Sequence, residues 1–225
     1  MTVRGVWAIV LAGGTGQRYG GAKQFARLGG RALVDLVLDE CLAVAQHVVV
    51  ALPAGTEWPL PAGVHRVDGG ATRLDSTRAA LAALPDDDDL VVLIQDSAHP
   101  LAPRSLYEAV IGAVRDGADA AVPGVPMVDA IKVADEDGWV TRSLPKAGVV
   151  IVQTPHAFRL GTLRRAHAGA PAGVEDSELV ERAGGRIRVV PGDWGNVHVT
   201  LPEELSLAEA IVRGRQAGPE GDHDE

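Results

Sequence analysis

The sequence predicts an α/β protein built on a mainly parallel, doubly wound sheet. Three observations carry that expectation. Short continuous apolar runs recur along the chain, as strands covered on both faces require. Helical patterns separate these runs, so each strand is followed by a crossover. The section from 127 to 152 breaks the alternation and reads as a hairpin excursion from the main sheet of a three-layer sandwich.

Apolar runs at 6–11, 48–52, 64–67, 90–94 and 118–122 are the expected strands, with helices over 32–46, 72–84 and 103–115 between them. In that section, 131–133 and 139–141 flank Asp135-Glu-Asp-Gly138, a turn signal, and 148–152 is a further strand. Helices at 160–168 and 175–182, strands at 187–190 and 197–200, and a helix from 202 to 213 complete the order. Residues 1–215 read as a single domain, and the apolar-poor stretch 216–225 as a disordered tail.

At 225 residues the chain is long enough for one sizeable core. Formal net charge is −9, which argues against a nucleic-acid surface with its basic stripe. The run Asp86 to Asp89 suits a solvated turn better than a metal site, because consecutive carboxylates point different ways. The single cysteine, Cys41, excludes an intrachain disulfide and sits in an apolar helical pattern. No apolar run approaches the ~20 residues of a membrane span, and the N-terminus lacks a signal-peptide layout. A cytoplasmic protein with no membrane partner is the expectation.

Chemistry concentrates just after the first strand, in Leu11-Ala-Gly-Gly-Thr-Gly-Gln-Arg-Tyr-Gly-Gly-Ala-Lys-Gln-Phe25. Gly13, Gly14 and Gly16 let the backbone turn sharply and approach a ligand closely. Exposed amides in such a loop make a concave anion site, to which Arg18 and Lys23 add fixed positive charge. A nucleoside triphosphate suits that combination, although a plain strand-to-helix turn would also use the glycines. The spacing is neither G-x-G-x-x-G nor G-x-x-x-x-G-K-[S/T], since Gln24 follows Lys23. Asp96 follows a buried strand at the same carboxyl edge of the sheet, where such folds bind ligands. It is a candidate oxygen ligand for Mg²⁺ or another divalent cation, or else a cap of the following turn.

The order L-A-G-G-T-G-x-R-x-G-G-x-K-Q-F resembles the opening signature of the sugar nucleotidyltransferases. Within them it is similar to the cytidylyltransferases acting on methylerythritol phosphate and ribitol phosphate. Further blocks agree in order: Asp68-Gly-Gly-Ala-Thr-Arg-Leu-Asp-Ser76, Gln95-Asp-Ser-Ala-His-Pro100, Val125-Pro-Met-Val-Asp-Ala-Ile-Lys132, Gln153-Thr-Pro-His-Ala-Phe158 and Asn196-Val-His-Val-Thr-Leu-Pro-Glu-Glu-Leu205. The resemblance spans roughly residues 6 to 213.

It implies transfer of CMP from CTP to a polyol phosphate, with 2-C-methyl-D-erythritol 4-phosphate the first choice and ribitol 5-phosphate or a related alcohol phosphate or phosphonate the alternative. Leu11 to Gly16 and Gln95-Asp-Ser97 read closer to the ribitol type. A non-catalytic nucleotide-binding protein of the same fold is a rival from another class. By the same resemblance, Arg18, Lys23 and His198 serve catalysis. Ala12, Gly13, Gly70, Ala71 and Ser76 contact the nucleotide beside Gly14 and Gly16. His99, Asp129, Lys132, Lys146 and Thr154 meet the acceptor, and Asn196 joins Asp96 near the metal. Arg73 reads as a residue that orders its loop. Asp129 and Lys132 could equally form a cross-strand ion pair. The resemblance also implies a Rossmann-like fold in which the section 127–152 is a protruding β-arm that embraces a second subunit in a homodimer.

The chain departs from the family pattern on the acceptor side. His99 and Lys146 stand for arginines, Ala130 for threonine, His156 for glutamine and His198 for lysine, while Ala22 replaces a proline. Imidazole or ammonium is not a conservative exchange for a guanidinium fork, and a histidine is not an always-charged lysine.

Overall fold

Alternate residues of the central strands enter different cores, as a sheet covered on both faces demands. In the computed structural model, which describes residues 5–14, 16, 18–168 and 175–217, strand β1 (Val6–Leu11) sends Val6, Ala8 and Val10 to one side and Ile9 and Leu11 to the other. A 3₁₀ turn (Lys23–Phe25) and the small hairpin β2 (Arg27–Leu28) and β3 (Arg31–Ala32) lead into α1 (Leu33–Val44). Then come β4 (His47–Leu52), β5 (Val64–Asp68), α2 (Arg73–Leu81), β6 (Val91–Asp96), α3 (Arg104–Arg115) and β7 (Ala120–Pro126). The arm hairpin is β8 (Ile131–Ala134) and β9 (Val140–Leu144). The chain returns through β10 (Val150–Val152), β11 (His156–Arg159), α4 (Leu160–His167), α5 (Asp176–Arg182), β12 (Ile187–Pro191) and α6 (Pro202–Ala217).

Strands β5, β4, β1 and β6 lie side by side, all parallel. Antiparallel β11 separates β6 from β7. Antiparallel β10 and parallel β12 also pair with β7. The expected mainly parallel sheet is therefore present. On one face α1 and α3 pack Val34, Val37, Leu38, Leu106, Tyr107 and Val110 against the sheet. On the other face α2, α4 and α5 contribute Leu74, Leu81, Leu160, Leu163, Leu179 and Val180. Cys41 is fully buried in the first of these cores. A smaller cluster, including Leu28, Leu33, Leu101, Val199 and Ala208, seats α6.

The sequence expectation has no 3₁₀ turn and no β2–β3 hairpin, and three other elements differ from it. Residues 197–200 form no strand. The amide of Val199 reaches the Ala98 carbonyl at 2.8 Å, but those of Thr200 and Leu201 go to the Glu204 carboxylate, which caps α6. A local cap thus outcompetes a ladder for the same donors. Strand β11 is absent from the sequence expectation, because its short span lies inside a polar-led motif with no alternating pattern. Helix α6 runs on to Ala217, so residues 216 and 217 are helical; the rest of the expected tail, 218–225, lies outside the described residues. Among the described residues no helix is long and apolar enough to cross a membrane.

Candidate nucleotide and acceptor site

Backbone bonds one residue beyond the strands hold the carboxyl edge together. The amide of Ala12 donates to the Ala51 carbonyl at 3.0 Å, Ser97 to Leu11 at 3.0 Å and Gly69 to Leu52 at 2.7 Å. The glycine loop then closes on one carbonyl: the amides of Tyr19, Gly20 and Gly21 all donate to the Gly16 oxygen, at 2.9, 3.0 and 3.2 Å. Gly16 sits at φ 64°, and a Cβ there would lie 1.6 Å from the Gly21 oxygen. Opposite, Thr72 caps α2 through a reciprocal bond with Asp75. Ser76 braces the preceding turn, accepting from the Gly70 amide at 3.1 Å and donating to the Thr72 carbonyl at 3.0 Å.

Between these loops lies a cavity of about 450 Å³. Gly13, Gly14, Arg18 and Lys23 line it from the glycine loop, Gly70, Ala71 and Ser76 from the turn after β5, Asp96 from the end of β6, and His198 from the segment before α6. One space therefore gathers every residue expected to serve catalysis and most of those expected at the nucleotide. Ala12 is buried beneath the loop, and Gly16 acts as its closing point. The hydroxyl of Ser76 is engaged in bracing the turn, so this residue shapes the cavity first of all.

Charge is balanced for an incoming anion. Lys23 is half-buried, with Nζ donating to the Val199 carbonyl at 2.9 Å. Burial lowers its pKa, Asp96 opposes that, and Arg18 adds to it. A cation so placed gains from any anion that favours its charged form. The described residues hold no cluster of three or more acidic, histidine or cysteine ligands for a metal. That suits Mg²⁺, which takes one or two carboxylates plus substrate phosphates rather than a protein cage. Asp96 can serve, because among the described residues only Oδ1 of its carboxylate is engaged, at 3.2 Å from Arg73 Nε. Asn196 is buried, its Nδ2 donates to the Thr154 carbonyl at 2.9 Å, and its Oδ1 has no partner among the described residues.

The acceptor-side residues divide into a buried knot and an exposed arm. Thr154 Oγ1 accepts from the Asp96 amide at 3.3 Å and lies 3.0 Å from Nδ1 of His99. The His99 ring stacks on His198, with centroids 4.6 Å apart and planes 17° from parallel. Asp129, Lys132 and Lys146 are exposed on the arm and do not line the cavity. Among the described residues no ion pair joins Asp129 to Lys132. Instead Lys132 donates to Ser143 at 2.7 Å, and Lys146 to the Val128 carbonyl at 2.7 Å.

Burial, helped by neighbouring His198, pushes the His99 pKa down to about 3. The unfolded ring takes its proton near ~6.5. Between these values the unfolded chain binds the extra proton, so this contribution is complete above about pH 6.5 and is lost as pH falls toward 3. His198 is also lowered, by burial first and then by Lys23, and acts with the same sign. Urea midpoints should therefore fall from pH 7 to pH 5, and His99→Gln should flatten that slope. Equal slopes in the two proteins would remove His99 from the account.

Arg73 and Asp176 form a unit that the sequence does not suggest. Rather than ordering its own loop, Arg73 reaches the carboxylates of both Asp96 and Asp176. Its place beside the glycine turn is the only available signal. Asp176 offers none, because an acidic residue opening a short helix reads as solvated.

Residues 6–214 match the family model described as 2-C-methyl-D-erythritol 4-phosphate cytidylyltransferase (IspD). The chain belongs to this family. Among relatives given that enzyme name, one from Rubrobacter xylanophilus is 39% identical, the match covering 94% of this chain and 96% of the relative. One from Frankia casuarinae is 41% identical over 92% of this chain and 81% of the relative. The crystal structure of the Thermus thermophilus enzyme superposes with a TM-score of 0.80 at 33% identity, covering 92% of this chain and 98% of that one. The IspD membership bears out the expected family and fold.

Proposed function

We propose that this IspD family member transfers CMP from CTP to 2-C-methyl-D-erythritol 4-phosphate, releasing pyrophosphate. The observation that carries the reading is the cavity itself. It sets Arg18 and Lys23 opposite Asp96 at the carboxyl edge of a parallel sheet, in a chain 39% identical to a relative bearing that enzyme name.

An oxygen of the acceptor phosphate attacks the α-phosphorus of CTP. The bond from that phosphorus to the bridging oxygen of the β-phosphate breaks, and pyrophosphate carries its electron pair away. No covalent protein nucleophile is required, so the protein positions the reactants and offsets charge as it moves to the leaving group. Lys23 and Arg18 hold the triphosphate and stabilise that charge. Gly70, Ala71 and Ser76 line the cavity with small side chains, which leaves space on that side for a pyrimidine ring. A divalent cation such as Mg²⁺, held by Asp96 and phosphate oxygens with Asn196 nearby, would supply further neutralisation. His198 stands at the junction of cavity and buried knot, and it meets the acceptor phosphate in place of the family's lysine. His99 and Thr154 support it from behind. Asp129, Lys132 and Lys146 are assigned to the cavity of a second copy, in a homodimer joined through the arm.

Pyrophosphate release from CTP and Mg²⁺ tests the reading, with methylerythritol 4-phosphate and ribitol 5-phosphate run side by side. Preference for the first is expected. Preference for the second would make the changes at His99, Ala130, Lys146 and His198 a change of substrate. CTP binding without turnover on either would leave only a nucleotide-binding role.

A further inference from the structure

Arg73 joins the site to a charge outside it. Its Nε lies 3.2 Å from Asp96 Oδ1, and its Nη1 is bonded to Oδ2 of Asp176. Asp176 has no solvent exposure. Its other oxygen, Oδ1, lies 3.0 Å from Nε2 of His167 on α4. Burial alone would raise the Asp176 pKa, but His167 and Arg73 more than reverse that and hold it below the usual carboxylate range. Burial acts on the Arg73 guanidinium too, and Asp96 and Asp176 outweigh it. A line of polar groups in close contact thus runs from α4 through α5 and α2 to the tip of β6.

The geometry points to Arg73 as a positioning residue for Asp96, with buried Asp176 neutralising Arg73 so that Asp96 keeps its charge for a cation. This rests on the proposed role of Asp96. A guanidinium fork fixes a carboxylate's orientation through directed bonds. Alone, the same fork would also cancel that carboxylate's charge and compete with a metal for both oxygens. A second carboxylate on the far side of the fork removes the conflict. Two carboxylates share one guanidinium, so one net negative charge remains, and Asp96 Oδ2 faces no described partner. Asp176 is sequestered from water and is 80 residues further along the chain than Asp96, which explains why the sequence gives no hint of the arrangement.

The test is the affinity of Mn²⁺ for the protein–CTP complex, read by electron paramagnetic resonance, with metal-free CTP binding measured by calorimetry. Asp176→Asn should weaken Mn²⁺ about tenfold or more, as loss of an outer-shell partner does. Its metal-free CTP affinity should stay the same or tighten, because a negative charge has gone. General damage would instead weaken both. Arg73→Lys keeps the charge but cannot bridge both carboxylates, so it should lose Mn²⁺ affinity as well. It carries the test alone if Asp176→Asn does not fold. Mn²⁺ affinity within about twofold of wild type in the folded variants would overturn the inference. Asp96→Asn separates the two ideas. If it weakens Mn²⁺ while Asp176→Asn does not, the positioning claim fails and the site reading stands. If Asp96→Asn has no effect, both fall.

Discussion

Lys23→Ala should lower kcat by about a thousandfold while leaving the melting temperature almost unchanged. The asymmetry follows from what Lys23 touches. In the folded protein its ammonium donates a hydrogen bond to the Val199 carbonyl at 2.9 Å. A hydrogen bond from a charged donor contributes about 1.5–3 kcal/mol, and the cost of half-burying that ammonium offsets part of it. The same ammonium is half-buried beside Arg18 in a cavity shaped for an anion, where charge on a leaving pyrophosphate is far more strongly felt than in water. Lys23→Arg should recover only part of the rate, since a planar fork does not replace a point charge. Single-turnover kinetics at saturating CTP, with thermal melting of the same samples, would check this. A kcat within about tenfold of wild type would place the triphosphate elsewhere.

Gly16→Ala should abolish tight CTP binding although it adds one methyl group. The left-handed backbone at φ 64° already disfavours alanine, by roughly 1–2 kcal/mol. The larger effect is steric, because the new Cβ would lie 1.6 Å from the Gly21 carbonyl oxygen. That contact can be relieved only by opening the loop that the Gly16 oxygen now closes with three amides. Lys23 and Arg18 move with it. CTP affinity should fall at least about a hundredfold, equivalent to roughly 3 kcal/mol. Gly20→Ala is the matched control: its φ is 86°, but nothing lies within 4 Å of its added Cβ. It should bind CTP nearly normally. Equal losses in both variants would mean that backbone strain, not closure of the loop, governs binding.

Much of this protein is legible in its sequence, for reasons that can be named. Strand β1 and the glycine loop are read together because an apolar run followed by Gly13, Gly14 and Gly16 allows few conformations. Arg18, Lys23 and Asp96 can be placed at one sheet edge once strand and helix alternate, since parallel topology sends every strand's carboxyl end the same way. The acceptor side resists such reading. His99, Thr154 and Asn196 come from distant segments and meet through buried hydrogen bonds that no local pattern encodes. Residues 197–200 alternate like a strand, yet the Glu204 carboxylate takes the amides of Thr200 and Leu201 for the cap of α6. Arg73 and Asp176 escape notice for a related reason: their pairing is tertiary, and each alone looks like an ordinary surface charge.

The position of β6 between parallel β1 and antiparallel β11 has a consequence for how such an enzyme can be retargeted. Asp96 at its tip is a watershed. The glycine loop and the turn before α2 lie on the β1 side, whereas the knot around Thr154 and the arm lie on the β11 side. Variation at His99, Ala130, Lys146, His156 and His198 leaves the glycine loop and the turn before α2 untouched in sequence. A lineage, or a directed-evolution library confined to those positions other than His198, which lines the cavity with Lys23, can search for new alcohol phosphates without giving up its hold on CTP.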